Sequence, residues 1–341
     1  MKFNIKKLAD RLIMLIILIM PVIVQISCND EWKGEQYIKY VSFVNSGYTD
    51  TYLNTATPDG VVHYQIPVEV SGSTVNSQNV TVTIEIDPDT LLDYNLATYF
   101  SRQDLYYLQL DEQHYSFPNG MTTVIPAGES TGTIDIDFKI NNLDLVNQYI
   151  LPLKITSTSD YTISPIKYYK KSLMHIIPFN NFSGTYSATA ANITASGISD
   201  PITVESREMR YVSDSTVFFY AGLCVENASD RANYKVRAQF NSDNTLTLTA
   251  DNPNIQLTPI LKSVNNNGDT ISRCVWTVNE TMDALQPYLL VRTITMDIKY
   301  TYMDISNPSY SVLYTVDGYY TLERRKNTQI PDENQQDIFI W

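Results

Sequence analysis

The chain has 341 residues, 24 of them basic and 37 acidic, for a formal net charge of −13 at neutral pH. So acidic a surface repels phosphate backbones and argues against nucleic acid as a partner. A hydrophobic content of 43% argues against disorder, and at about 150 residues per domain the length accommodates two domains.

The first 27 residues read as a processing signal. Lys2, Lys6, Lys7 and Arg11 form a positive n-region, and Leu12 to Val24 form an apolar h-region. The apolar run is shorter than the ~20 residues a membrane-spanning helix needs, and Pro21 interrupts it, so a signal peptide is expected. Gln25-Ile26-Ser27-Cys28 follows. It resembles the bacterial lipobox, in which cleavage falls before the cysteine and a diacylglycerol thioether forms on it. Gln25 departs from the usual apolar residue there. Cys28 is therefore the expected lipidation site, and its lipid chains would tether the protein to a membrane. The next residues, Asn29-Asp30-Glu31-Trp32-Lys33-Gly34-Glu35, form an acidic tether over 28–36. They resemble the acidic export signal of Bacteroidetes-type surface lipoproteins, which implies display on the outer face of the outer membrane.

From Tyr37 onward a period of two dominates. Tyr64, Ile66, Val68 and Val70 share one strand face, as do Val80, Val82, Ile84 and Ile86, and then Ile134, Ile136, Phe138 and Ile140. Such alternation marks half-buried strands of antiparallel sheets. Asp89 to Tyr99 is the best helical segment, with Leu91, Leu92, Asn95, Leu96 and Tyr99 able to form one face. Asp59-Gly60, Asn119-Gly120, Asn267-Gly268 and Asp317-Gly318 supply the dipeptides that tight hairpins use. A boundary is expected near Pro178 to Ser183. Beyond it, Tyr234, Val236, Ala238 and Phe240, then Ile294, Met296, Ile298 and Tyr300, repeat the alternation. The last hairpin is expected to pair Val312, Tyr314 and Val316 with Tyr320 and Leu322 around Asp317-Gly318. The expected fold is all-β: two tandem β-sandwich or barrel-like domains over 37–178 and 182–326, then a tail over 327–341. Cys224 and Cys274 both lie in apolar, strand-like runs and could be either a disulfide or two buried thiols.

Val124 to Ser130 (VIPAGES), Asp144 to Ile155 (DLVNQYILPLKI) and Tyr94-Asn95 together resemble the immunoglobulin-like N-terminal domain of surface lipoproteins from Bacteroidetes-type, starch-utilisation-like glycan-uptake systems. Phe182-Ser183-Gly184-Thr185-Tyr186 resembles the opening of the C-terminal β-domain that accompanies it in non-enzymatic members. The resemblance implies glycan capture at the cell surface, beside an outer-membrane transporter and its partner lipoprotein. It supplies no agreed set of binding residues.

Catalytic signals are absent from the sequence. None of the three histidines, His63, His114 and His175, has the i, i+4 partner of a zinc motif, and no nucleophile elbow or Gly-rich phosphate loop occurs. No pair of carboxylates stands out for glycosidic cleavage. No enzyme activity, cofactor or metal is expected. Tyrosine is conspicuous, with 25 residues against 11 Phe and 3 Trp. Its ring can stack on the C–H face of a sugar while its hydroxyl hydrogen-bonds. The expected binding residues are Tyr302, Asp304, Asn307 and Tyr310 around a strand end, Tyr288 after Pro287, and Trp276. His175, in an apolar strand, is expected to be a hydrogen-bonded core residue. A non-catalytic glycan-binding surface lipoprotein is the leading reading. A fimbrial or adhesin subunit, and after it a glycoside hydrolase, are the alternatives.

Overall fold

The computed structural model describes residues 34–57, 60–140, 142–265 and 267–331. Cys28, most of the acidic tether, Asp59 and the tail beyond Pro331 lie outside the described residues. Among those described, strands β1 (Tyr40–Phe43), β2 (Gly47–Asn54), β3 (Val62–Val70), β4 (Val80–Ile86), β5 (Leu108–Gln109), β6 (Tyr115–Ser116), β7 (Thr122–Ile125), β8 (Thr131–Phe138), β9 (Tyr149–Thr158), β10 (Thr162–Ile163) and β11 (Lys171–Phe179) build the first domain. One sheet has the order β10-β1-β3-β8-β6 and the other β2-β11-β9-β4-β7, with β5 beside β9. The alternating apolar residues do what the period requires. Ile66, Val68, Val80, Val82, Ile134, Ile136 and Phe138 are at most 3% exposed and meet between the sheets as one core.

Helix α1 (Pro88–Tyr99) crosses the outer face of β9 and β11. Pro88 suits the first turn, where its missing N–H leaves no bond unmade. The buried line is Thr90, Leu91 and Asn95, whereas Leu92 and Leu96 are about half exposed, at 53% and 49%. The expected wider face is thus corrected. Leu91, Asn95 and Tyr99 follow an i, i+4, i+8 line, and positions 92 and 96 lie about 100° round the helix from it.

The second domain comprises β12 (Gly184–Ala195), β13 (Ser206–Ser213), β14 (Thr216–Tyr220), β15 (Lys235–Phe240), β16 (Leu246–Ala250), β17 (Thr258–Pro259), β18 (Lys262–Val264), β19 (Thr270–Ser272), β20 (Val275–Met282), β21 (Leu289–Asp304) and β22 (Val312–Asn327). Strands β16 back to β12 run in sequence neighbour order, and β22, β21 and β20 continue from β12. The Leu246 N–H donates to Cys274 O at 2.7 Å and the Trp276 N–H to Asn244 O at 2.9 Å, and Thr245 bridges Val275. These bonds join β16 to β20 and curl the sheet into an eight-stranded antiparallel barrel. A barrel of that size has room for a filling of side chains. Here Tyr186, Tyr300, Tyr302, Tyr320 and Phe219 supply it, each at most 1% exposed. Both remaining cysteines are free thiols.

The expected hairpin at Asp317-Gly318 is corrected. β22 runs unbroken through it, and its partner β21 is paired from Leu289 with Asn327 to Asp304 with Val312. The turn of this hairpin is residues 305–311.

The two domains are locked by the loop before β9. Leu145 and Val146 pack against Tyr211, Phe218 and Tyr220 on the outer wall of the barrel. Polar contacts ring this patch. Lys235 pairs with Asp144 at 2.8 Å, Arg210 donates to Leu145 O at 3.2 Å, and Arg231 donates to Asp104 O at 2.9 Å. Val146→Asp places an unpaired carboxylate in this patch and should separate the domains while leaving each fold intact. The expected readout is a larger radius of gyration in small-angle scattering with unchanged β-sheet circular dichroism, from a loss of about 2–3 kcal/mol.

Candidate functional site

A cleft of about 400 Å³ lies beside this interface, between β2 and β11 of the first domain and the barrel end formed by Gly184, Met209 and Leu322. The parallel pairing of β2 with β11 sets Asp50 opposite His175 and Tyr52 opposite Ile177. Because side chains alternate along a strand, Tyr48, Asp50 and Tyr52 share one face. The Tyr52 ring is 46% exposed, with Phe179 edge-on to it at 6.4 Å between centroids. Asn147, Gln148, Glu208 and Arg210 complete the walls.

Behind His175 lies a tyrosine wall. Tyr48 stacks on Tyr94 of α1, with centroids 5.3 Å apart and planes 11° apart. Its hydroxyl lies 2.8 Å from His175 Nδ1, 3.1 Å from Asp50 Oδ1 and 3.1 Å from the Tyr107 hydroxyl. Asp50 Oδ1 lies 2.8 Å from His175 Nδ1. Asn95 holds Tyr107 in place through both its backbone groups, each at 2.9 Å. Burial pushes the imidazole of His175 below its ordinary pKa, against the opposing pull of Asp50. Burial, with help from Tyr107, pushes the Tyr48 phenol well above its own. His175 and Tyr48 therefore both favour their uncharged forms at neutral pH.

Arg210 and one guanidinium nitrogen of Arg324 are already engaged, while Arg324 Nη1 is buried without a hydrogen-bond partner. Arg210 is 2.6 Å from Glu226, and Arg324 donates to Ser183 O at 2.6 Å and Asn180 O at 3.3 Å. Glu208 accepts from the Thr185 hydroxyl at 2.6 Å. An exposed, braced aromatic ring among amides, a carboxylate and an imidazole suits a ligand that alternates apolar C–H faces with hydroxyls. Among the described residues, no three His, Cys, Asp or Glu side chains are grouped to hold a metal ion.

The structure disperses the residues singled out from sequence. Tyr302 is a correction. It belongs to β21, is 1% exposed, stacks on Tyr314 at 5.5 Å and accepts the Leu223 N–H at 3.2 Å, so its ring fills the barrel. Asp304 accepts the Tyr234 hydroxyl at 2.7 Å and the Ser306 N–H at 2.9 Å, which shapes the turn. Asn307 accepts the Ser309 N–H at 2.9 Å, and Tyr310 is 63% exposed. This loop is the far end of β22 from Arg324, about 40 Å along the strand. Trp276 is wedged against Phe182 and Phe240 with centroids at 5.3 and 5.5 Å, and its indole N–H donates to Asn241 O at 3.1 Å. It closes the barrel and does not stand free. Tyr288 precedes β21 at the end opposite Tyr302, so the two cannot serve one site. The sequence reading missed Tyr48, Asp50 and Tyr52. Their alternation in Gly47–Asn54 (GYTDTYLN) is the available signal, because it aligns two aromatics and an acid on one strand face.

A family model for a domain of unknown function, DUF4973, matches residues 32–159, and a second, for a "-like, C-terminal" domain, matches residues 170–321. No functionally curated protein matches the chain. A Bacteroides ovatus protein of unknown function is 34% identical, with 87% of this chain and 99% of that one covered and a TM-score of 0.75. A Bacteroides ovatus multidomain protein that includes DUF1735 is 33% identical, with 87% and 99% covered and a TM-score of 0.74. A Bacteroides thetaiotaomicron protein described as an auxiliary nutrient binding protein is 30% identical, with 85% and 94% covered and a TM-score of 0.71. Identity at this level over nearly the full length of these proteins means that the chain belongs to one family with them.

Proposed function

We propose that the protein captures glycan chains at the bacterial surface without cleaving them, and that the cleft between its domains is where it holds them. The observation that carries this reading is the exposed Tyr52 ring, fixed edge-on by Phe179 and surrounded by hydroxyl-binding groups. The likeness to a nutrient-binding protein of Bacteroides thetaiotaomicron supports the same class of role. The lipobox-like Gln25-Ile26-Ser27-Cys28 and the acidic residues after it support lipid anchoring at Cys28 and display on the outer membrane. The ligand would there be held beside a transporter and its partner lipoprotein. A net charge of −13 suits neutral glycans, which gain nothing from a basic surface.

The test is a glycan-array screen of the soluble chain from Asp30, followed by titration calorimetry and product analysis on the glycans retained. Saturable binding without new reducing ends is the expected result. Tyr52→Ala should weaken it about tenfold, as loss of one stacking contact implies, while Tyr310→Ala should leave it unchanged. Glycan binding with equal affinity in Tyr52→Ala would remove the cleft as the site. Release of fragments would replace capture by hydrolysis.

A further inference from the structure

We propose that His175 is a hydrogen-bond acceptor for a ligand hydroxyl, its Nε2 lone pair turned to the cleft because Asp50 holds the proton on Nδ1. The inference rests on the glycan-capture reading for the ligand, but its structural part stands on the free protein. Asp50 Oδ1 is 2.8 Å from Nδ1, and a carboxylate only accepts. Two lone pairs do not face each other at that distance, so Nδ1 carries the hydrogen. The Tyr48 hydroxyl is also 2.8 Å from Nδ1. It turns its oxygen to the ring and spends its own proton on Asp50 or Tyr107, both 3.1 Å away. In the neutral ring the second nitrogen then has a free lone pair.

The neutral ring is itself arranged by its neighbours. His175 is opposite Ile150 of β9 and Asp50 of β2 in the sheet. Tyr48 stacks on it at 5.7 Å, and Tyr107 packs edge-on at 5.1 Å. Arg210 of β13 adds a positive field that disfavours imidazolium, and Asp50 opposes it. Burial is the largest influence and leaves the ring harder to protonate than a free histidine. Protonation at lower pH places a hydrogen on Nε2 and converts an acceptor into a donor. The chemistry selected is therefore a hydroxyl donor, as a sugar supplies, and not an anion. Asp50 and Tyr48 are positioning residues.

The experiment is long-range proton–nitrogen correlation NMR on the full soluble chain labelled with nitrogen-15 histidine. His175 is assigned by its absence in His175→Gln. The expected spectrum at pH 7.5 has Nδ1 protonated and Nε2 bare, and the ring titrates below a free histidine. Asp50→Asn should mix the tautomers, because an amide can either donate or accept, and Tyr48→Phe should leave Nδ1–H in place. A protonated Nε2 at neutral pH overturns the proposal. In the second arm, hydrolysed dextrin, xylan and mannan are titrated in, and the Nε2 resonance should shift on binding. Asp50→Asn should weaken that binding about fivefold, the value of one hydrogen bond. If a glycan binds to a chain whose Nε2 is protonated, the capture reading stands and this inference fails. If the tautomer is as expected and no glycan binds, the acceptor geometry stands and the capture reading fails.

Discussion

Gly318→Ala should destabilise the barrel by on the order of 4 kcal/mol, enough to unfold much of the protein near physiological temperature. Gly318 sits inside β22 at φ +150°, a conformation that side chains with a Cβ rarely adopt. A Cβ built there lies 2.2 Å from Ala190 O and 2.5 Å from Ala191 Cα. Both are backbone atoms of β12, which cannot step aside without breaking the β12–β22 pairing. That pairing already shifts register between Ser187 and Ala190, so the close approach lies at a bulge, where glycine is favoured. The comparison is Gly120→Ala, where φ is +78° and nothing lies within 4 Å of the added carbon. That variant carries only the backbone strain, about 1 kcal/mol. Thermal or urea unfolding of both variants measures the difference. A loss of under 1 kcal/mol in Gly318→Ala would show that β12 yields freely and that the register seen here is not fixed.

The same dipeptide shows where sequence reasoning stops. Asp317-Gly318 has the composition of a type I′ turn, and strands flank it on both sides. Only the neighbouring strand explains the glycine: its missing side chain makes room for β12, which is more than a hundred residues upstream. Local signals reported the element type well. The alternating runs around Ile66, Val82 and Ile136 are strands with those residues inside, because burial on one face of a sheet imposes a period that any window of the sequence displays. Barrel closure was not visible, since it depends on bonds between Leu246 and Cys274 that no periodicity encodes.

The candidate site was less legible for a related reason. Ile294, Met296, Ile298 and Tyr300 alternate along one strand face, and one more step of two reaches Tyr302. The rule that identified the strand therefore places Tyr302 inside the barrel. The expectation of a binding loop put Tyr302 at a strand end, whereas the strand continues through it to Asp304. The cleft, by contrast, is assembled from β2, β11, β13 and the end of β22. Its residues share no local pattern beyond the tyrosines of β2. What makes Tyr52 a candidate is exposure beside a second domain, a property of the tertiary arrangement alone.

Asp87→Ala should cost about 3 kcal/mol and should also loosen the wall behind His175. Asp87 is 3% exposed, and its carboxylate receives Lys171 at 3.1 Å and Lys154 at 3.6 Å as well as the hydroxyl of Thr90. Removing one partner of such a network leaves the other charges poorly compensated, which costs about 3–5 kcal/mol for fully buried pairs. The lower end applies because Lys154 is partly in water. Thr90 is itself 4% exposed. The network begins α1, and α1 carries Tyr94 and Asn95, which support Tyr48 and Tyr107. A glycan that depends on His175 should therefore bind more weakly to Asp87→Ala even at temperatures where the variant is folded. The pH dependence has a definite sign. Hydrogen bonds from Thr90 and Lys171 and the charges of both lysines hold the Asp87 carboxyl below its ordinary pKa, against the opposing effect of burial. Its stabilisation is thus present above the unfolded value of about 3.9 and is lost as pH falls through the lower folded value. The wild-type protein should lose stability along this acid limb, and Asp87→Ala should lose less of it. Unfolding free energies at pH 7 and below pH 4 decide the matter: equal acid sensitivity in the two proteins would assign the limb to other carboxylates.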